Sequence, residues 1–293
     1  MESHEAKDKE SFMPNFQYGR WLSSPPPGDE VVISGMSGHF PEAENIFEFR
    51  DNLFNKKDMI TVNDKRWVAD HHDLPKRNAP IDNIDKLDAG YFGLHYRQVN
   101  FMDPTLRVLM ETVIEAVMDA GINQLELKGS KTGKFAITGF FKSLFSHRLS
   151  YFLKIKGQSF VSDSACSSSG NALNAAFRSI RSGQCENAIV AASALTLHPA
   201  VTIQFFRLGV LCRDGVSKVF DEEANGYVRS EACTCILLQK SKNAKRIYAQ
   251  IINTKVNSDG FKKEGITYPS SQMQEELMTE IYKESSIDFS KLS

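Results

Sequence analysis

Asp163-Ser164-Ala165-Cys166-Ser167-Ser168-Ser169-Gly170 places one thiol among small residues directly ahead of an apolar helical pattern. Downstream, Leu173, Ala176, Phe177 and Ile180 recur at helical spacing, so one face of that segment can enter a core. Cys166 is therefore expected at a helix start. Unpaired backbone N–H groups and the positive end of the macrodipole favour the thiolate there, and the thiolate is the reactive form. A free cysteine is more often a small buried hydrophobe with no chemistry. Such a core cysteine is usually flanked by large apolar residues, whereas this one has small residues on both sides.

Working outward, the pattern alternates strands and helices. Val31 to Ile33 reads as a buried strand leading into a turn at Gly35 and Gly38, and residues 46–54 read as a first helix with a partly apolar face. Residues 58–94 are polar and turn-rich and read as loop with short pieces of structure. The clearest helix carries Leu106, Leu109, Met110, Val113 and Val117 on one face, with Asp103-Pro104 as cap and first turn and Gly121 at its end. Residues 134–140 then read as a strand, 167–182 as the helix behind Cys166, and 187–194, 233–239 and 246–256 as further strands. This alternation argues for a layered α/β architecture. Ser23-Ser24-Pro25-Pro26-Pro27-Gly28 closes a polar N-terminal tail with a stiff linker, giving a tail over residues 1–28.

With 293 residues, 41% of them hydrophobic, and a formal charge of -1, the chain can bury a large core and offers no platform for nucleic acid. The first 28 residues lack the apolar stretch of a signal peptide, and no segment reaches the length of a membrane span. Five irregularly spaced cysteines then point to reduced thiols and a cytoplasmic location.

The octapeptide resembles the nucleophile motif of the β-ketoacyl synthases, the condensing enzymes of fatty acid and polyketide synthesis, which usually carry Thr where this chain has Ser164. Further segments match in the same order. Val31 to Pro41 is similar to that family's first strand and glycine turn, and Asn100-Phe101-Met102-Asp103-Pro104 to its entry into a long helix. Phe220-Asp221 and Ala224 to Glu231 resemble its loop before a core strand. Asn257 to Ser270 resembles the animal multifunctional fatty acid synthase in particular. The resemblance implies the thiolase-like fold, two related halves stacked as α/β/α/β/α layers. On that reading residues 29–242 form the N-terminal half and residues 243–293 the opening of the C-terminal half.

What the resemblance implies chemically is acyl transfer from the phosphopantetheine thioester of an acyl carrier domain to Cys166, then decarboxylative condensation with a malonyl thioester. The substrates ride on the carrier's phosphopantetheine, and this chain itself is expected to bind no cofactor and no metal. The complete family enzyme is expected to be a homodimer. Two histidines stabilise the charge developing on the thioester oxygens in the family, on a Gly-Thr-rich loop and an Asn-x-Gly-His-type segment. Neither segment occurs in this sequence, and His4, His39, His71, His72, His147 and His198 are assigned no role. This chain is therefore expected to accept an acyl group on Cys166 and not to condense.

Two departures from the family stand out. A few tens of residues usually separate the strand ending near Phe140-Phe141 from the His147-Arg148-Leu149-Ser150-Tyr151-Phe152 segment, and about five do so here. Ala232 stands where the family usually has Gly. Competing site readings are weaker. Cys233 and Cys235 share a strand face without a second ligand pair, Gly35 and Gly38 lack the rest of a dinucleotide fingerprint, and Lys242, Lys245 and Arg246 read as a solvated turn, with docking of an acidic carrier the alternative. A non-catalytic interaction protein keeping half of the fold and a polyketide ketosynthase are the alternative functional readings.

Overall fold

The structure, a computed structural model, describes residues 25–68, 74–123, 127, 132–135 and 142–285. In chain order the elements are β1 (Val31–His39), α1 (Ile46–Phe54), β2 (Thr61–Val62), β3 (Arg77–Asn78), α2 (Tyr96–Asn100), α3 (Pro104–Asp119), β4 (Thr132–Phe135) and α4 (Lys142–Leu153). They continue with β5 (Ser159–Phe160), α5 (Ser168–Arg181), β6 (Asn187–Ala194), α6 (Pro199–Arg207), β7 (Ala232–Lys240), β8 (Ala249–Ile251) and α7 (Ser271–Ser285). Six strands form one sheet in the order β5-β4-β6-β7-β1-β8, and β2 pairs β3 apart from it. β4 runs parallel to β5 and β6, while β7 is antiparallel to β6 and β1, and β8 antiparallel to β1.

Alternation along the central strands builds a core on each face of the sheet. On one face Ile189 and Ala191 of β6 and Cys233, Cys235 and Leu237 of β7 pack with α3 and α4. On the other, Ala188 and Val190 of β6 and Leu238 of β7 pack with Ala172, Ala176, Phe177 and Ile180 of α5. The result is a three-layer α/β/α unit. Leu106, Leu109, Met110, Val113 and Val117 are all buried, so the periodicity of α3 did select its core face. Each such side chain contributes roughly 1.5–3 kcal/mol on burial. Asp103 caps this helix by accepting from the Thr105 N–H at 2.7 Å, and Gly121 follows it at φ 70°.

Several expectations need correction. No turn follows Val31 to Ile33. β1 runs on to His39 through both glycines, because Gly35 serves close approach: a Cβ there would meet the Ala116 carbonyl oxygen at 2.1 Å and the Ala120 nitrogen at 2.9 Å. The strand read over residues 246–256 shrinks to three residues, since β8 finds a ladder only against Val31 to Ile33. That ladder makes β8 the outer strand of the six-stranded sheet, beside β1. α1 matches its expected bounds but has no buried residue, and Phe54 lies exposed. The strand read over 134–140 is β4 up to Phe135, and residues 136–140 lie outside the described residues, as do His4, His71 and His72.

Buried charge pins the long polar loop. Glu231, at the entry to β7, accepts from Arg66 Nε at 2.8 Å and Nη2 at 2.7 Å, from the Ile81 N–H at 3.0 Å and from the Thr196 N–H at 2.8 Å. Four donors around one carboxylate satisfy its lone pairs, which a buried ion requires. Lys242, Lys245 and Arg246 are exposed, as expected of a solvated turn, and each also has a partner: Lys242 pairs with Asp29 at 2.6 Å, Lys245 donates to the Gly121 carbonyl at 2.7 Å, and Arg246 pairs with Asp119.

Candidate active site

β5 and α5 place the thiol between them. Residues 161–164 leave the sheet, Ala165–Ser167 form one 3-10 turn, and α5 starts at Ser168. Cys166 thus sits two residues ahead of the first residue of α5, on the bend itself. The bend is sharp because Ala165 adopts φ 52°, a left-handed conformation that costs a non-glycine residue roughly 1–2 kcal/mol. Such strain persists only where neighbours over-determine it. Here hydroxyls do so. Ser168 Oγ donates to the Ala165 carbonyl at 2.7 Å and accepts from the Ser164 N–H at 2.9 Å. Ser167 Oγ donates to the Ser164 carbonyl at 2.9 Å, and Asn171 Nδ2 donates to Ser164 Oγ at 2.6 Å.

The braced turn leaves its sulfur outward. Cys166 is exposed, while Cys185, Cys212, Cys233 and Cys235 are buried, and all five are free thiols. Cys233 receives a hydrogen bond from Thr112 Oγ1 at 3.4 Å, and burial pushes its thiol up to about 12. It packs as a core side chain together with Cys235. Among the described residues no group of three or more His, Cys, Asp and Glu side chains is arranged to hold a metal ion.

Each described histidine has a partner other than the thiol. His95 Nδ1 accepts from the Arg97 N–H and caps α2, and His198 Nδ1 accepts from the Ala200 N–H at 3.2 Å and caps α6. His147 contacts Ser146 Oγ at 3.2 Å on α4. His39, the last residue of β1, lies 3.6 Å from Glu115 and 3.8 Å from Glu44. Glu115 beside it raises its pKa above the usual imidazole value.

The Beta-ketoacyl synthase, N-terminal domain, family model matches residues 28–141 and 134–244. The chain belongs to the β-ketoacyl synthase family. The two matched segments of this ketosynthase chain overlap over residues 134–141. The chain is 42% identical over 281 residues to a fatty acid synthase of Anser anser anser, covering 88% of this chain and 80% of that one. It is 32% identical over 298 residues to a highly reducing polyketide synthase of Aspergillus terreus, covering 89% of this chain and 12% of the relative. Among solved structures, the ketosynthase from module 6 of the bacillaene synthase of Bacillus subtilis superposes with a TM-score of 0.84 at 30% identity, over 88% of this chain and 49% of that one. An oxazolomycin ketosynthase domain from Streptomyces albus gives 0.82 at 27%, over 88% and 52%. The ketosynthase chain therefore spans about half the length of these solved relatives. The fold is thiolase-like, and the described residues supply three of its layers.

Sequence reasoning located the thiol and missed what holds it. Ala165 gives no sign of its left-handed backbone, because alanine is not among the residues, Gly, Asn and Asp, that signal it. A second non-glycine residue of this kind is the exposed Phe220, at φ 58° in the family's Phe-Asp segment. The Arg66–Glu231 pair, separated by 165 positions, also left no local signal.

Proposed function

We propose that this chain is the acyl-accepting part of a fatty acid synthase ketosynthase, with Cys166 as nucleophile. The observation that carries the proposal is the pairing of accessibility with strain: the exposed thiol stands on a left-handed, hydroxyl-braced turn at the start of α5. In the reaction the Cys166 thiolate attacks the carbonyl of an acyl thioester, the new C–S bond forms as the old one breaks, and a carrier thiolate leaves. The substrate would be presented on the phosphopantetheine of an acyl carrier domain, in the cytoplasm. Preference for a fatty acid synthase over a polyketide synthase rests on the 42% identity with the Anser protein against 32% with the Aspergillus one.

Condensation asks for more. Decarboxylation of a malonyl group puts negative charge on a thioester oxygen, and preorganised donors must meet it. The described histidines of this chain are committed to helix caps, to Ser146 and to glutamates. Among the described residues, transfer to Cys166 is therefore the step that is equipped. In the complete family enzyme a homodimer with both histidines would carry out the second step. Incubation with a short-chain acyl thioester followed by peptide mapping tests the first. A single acyl group on the Cys166 peptide, absent from Cys166→Ala, is the expected result; acyl groups spread over the other cysteines, or none, would refute the proposal.

A further inference from the structure

We propose that the cleft between residues 90–93 and the C-terminal end of α4 is a binding site for an anionic amphiphile, a hydrocarbon chain ending in a carboxylate. The cleft encloses about 730 Å³ and does not include Cys166 among its lining residues. That volume lies within the roughly 300–1,000 Å³ range of small-molecule sites.

Its floor is aromatic. Phe92 and Phe152 sit with ring centroids 4.7 Å apart, and Tyr91 meets Phe92 at 5.2 Å and Phe152 at 6.2 Å. Leu153 and Ile155 are buried behind them. An aliphatic chain laid over this surface removes apolar area from water on both partners. The exposed Tyr151 offers a further apolar wall.

The rim is cationic. Lys154 and Lys156 line the cleft, and among the described residues neither forms an ion pair. Lys154 has φ 55°, so the chain turns sharply off α4 between the two lysines and the helix. Its N–H donates to the Tyr151 carbonyl at 3.2 Å, and the Ile155 N–H donates to the Ser150 carbonyl at 3.2 Å. These bonds occupy carbonyls that would otherwise repel an anion at a helix C-terminus. What remains of the helix end amounts to at most about half a negative charge, against two full positive charges on the lysines. The balance selects a carboxylate headgroup over a neutral or cationic one.

Titration of the full chain with decanoate, below its micellar concentration, is the direct test, with 1-decanol and decyltrimethylammonium as comparison probes. Decanoate should bind saturably, more tightly than 1-decanol, and decyltrimethylammonium should not bind. Lys154→Asn with Lys156→Gln should weaken decanoate about tenfold, the scale of lost charge-assisted hydrogen bonds, and leave 1-decanol unaffected. Alkylation of Cys166 should leave decanoate affinity unchanged. A diazirine-bearing decanoate should crosslink within residues 150–156, a readout that stands even if the double variant unfolds. No saturable binding, equal affinity for all three probes, loss of binding on Cys166 alkylation, or a crosslink elsewhere would overturn the proposal. So would a dimer that binds no decanoate because a second copy covers the cleft.

Discussion

At the scale of single residues, the account turns on Ala165 and Cys166. The left-handed Ala165 aims the bend, and four hydroxyl and amide contacts from Ser167, Ser168 and Asn171 hold it. A β-branched residue tolerates this backbone worse than alanine does. Ala165→Val should therefore cost about 1–2 kcal/mol beyond any packing change and slow acylation of Cys166, whereas Ala165→Gly should relieve the strain. Thermal melts and a single-turnover acyl transfer assay check both. His39 makes a second residue-scale case. Its pKa is raised in the folded state, first by the Glu115 carboxylate 3.6 Å away and against the opposing effect of burial. A raised folded value means the contribution is fully present below the unfolded imidazole pKa and fades as pH climbs through the folded one. Burial raises the pKa of Glu111 too, and that contribution also fades as pH rises, in the lower window above the ordinary carboxylate value. NMR titration of His39 should show a pKa above the usual imidazole value, and Glu115→Gln should bring it down. An unchanged His39 titration in that variant would show that Glu115 is not the cause.

At the scale of elements, close approach and buried charge matter more than propensity. β1 crosses α3 at Gly35, where a methyl group would lie 2.1 Å from the Ala116 carbonyl oxygen. Backbone cannot yield as the end of a flexible side chain can. Gly35→Ala should therefore destabilise by about 3 kcal/mol or more, at the upper end of overpacking costs, read as a shift of the denaturation midpoint. Glu231→Gln leaves Arg66 buried without its partner and turns one acceptor into a donor facing backbone N–H groups. Breaking a buried pair on one side costs roughly 3–5 kcal/mol, so this variant should lose the loop around residues 66–81 first, visible as early amide exchange at Ile81 and Thr196. The same elements show what a sequence discloses. α3 was readable because its apolar residues repeat at helical period and Asp103-Pro104 marks its start. β8 was overextended because its apolar residues outnumber the partners available on β1. α4 and α6 passed unnoticed: α4 mixes Ser, His and Arg among its apolar residues, α6 spans only nine residues with Thr and Gln among them, and His198 acts as a cap that is unusual for its residue type.

At the scale of the whole molecule, the sheet order β5-β4-β6-β7-β1-β8 places the Cys166 turn shortly after an edge strand. The lines of sequence that carried the family resemblance fall on β1, the start of α3, the Cys166 turn and the entry to β7, which are the places where backbone geometry rather than bulk apolarity is specified. That is why the family was legible while the cleft beside α4, made by residues 60 positions apart in sequence, was not. Among the described residues no helix is long and apolar enough to cross a membrane. Exposed Phe220, Phe261 and Ile266 mark apolar surface on the segments that follow α6. The central claim is that Cys166 takes an acyl group and that the chain goes no further by itself. Intact-mass spectrometry of the acylated chain after addition of a malonyl thioester tests it most directly. The account predicts that the acyl adduct persists and no 3-oxoacyl product forms; discharge of the adduct with release of a 3-oxoacyl thioester would contradict it.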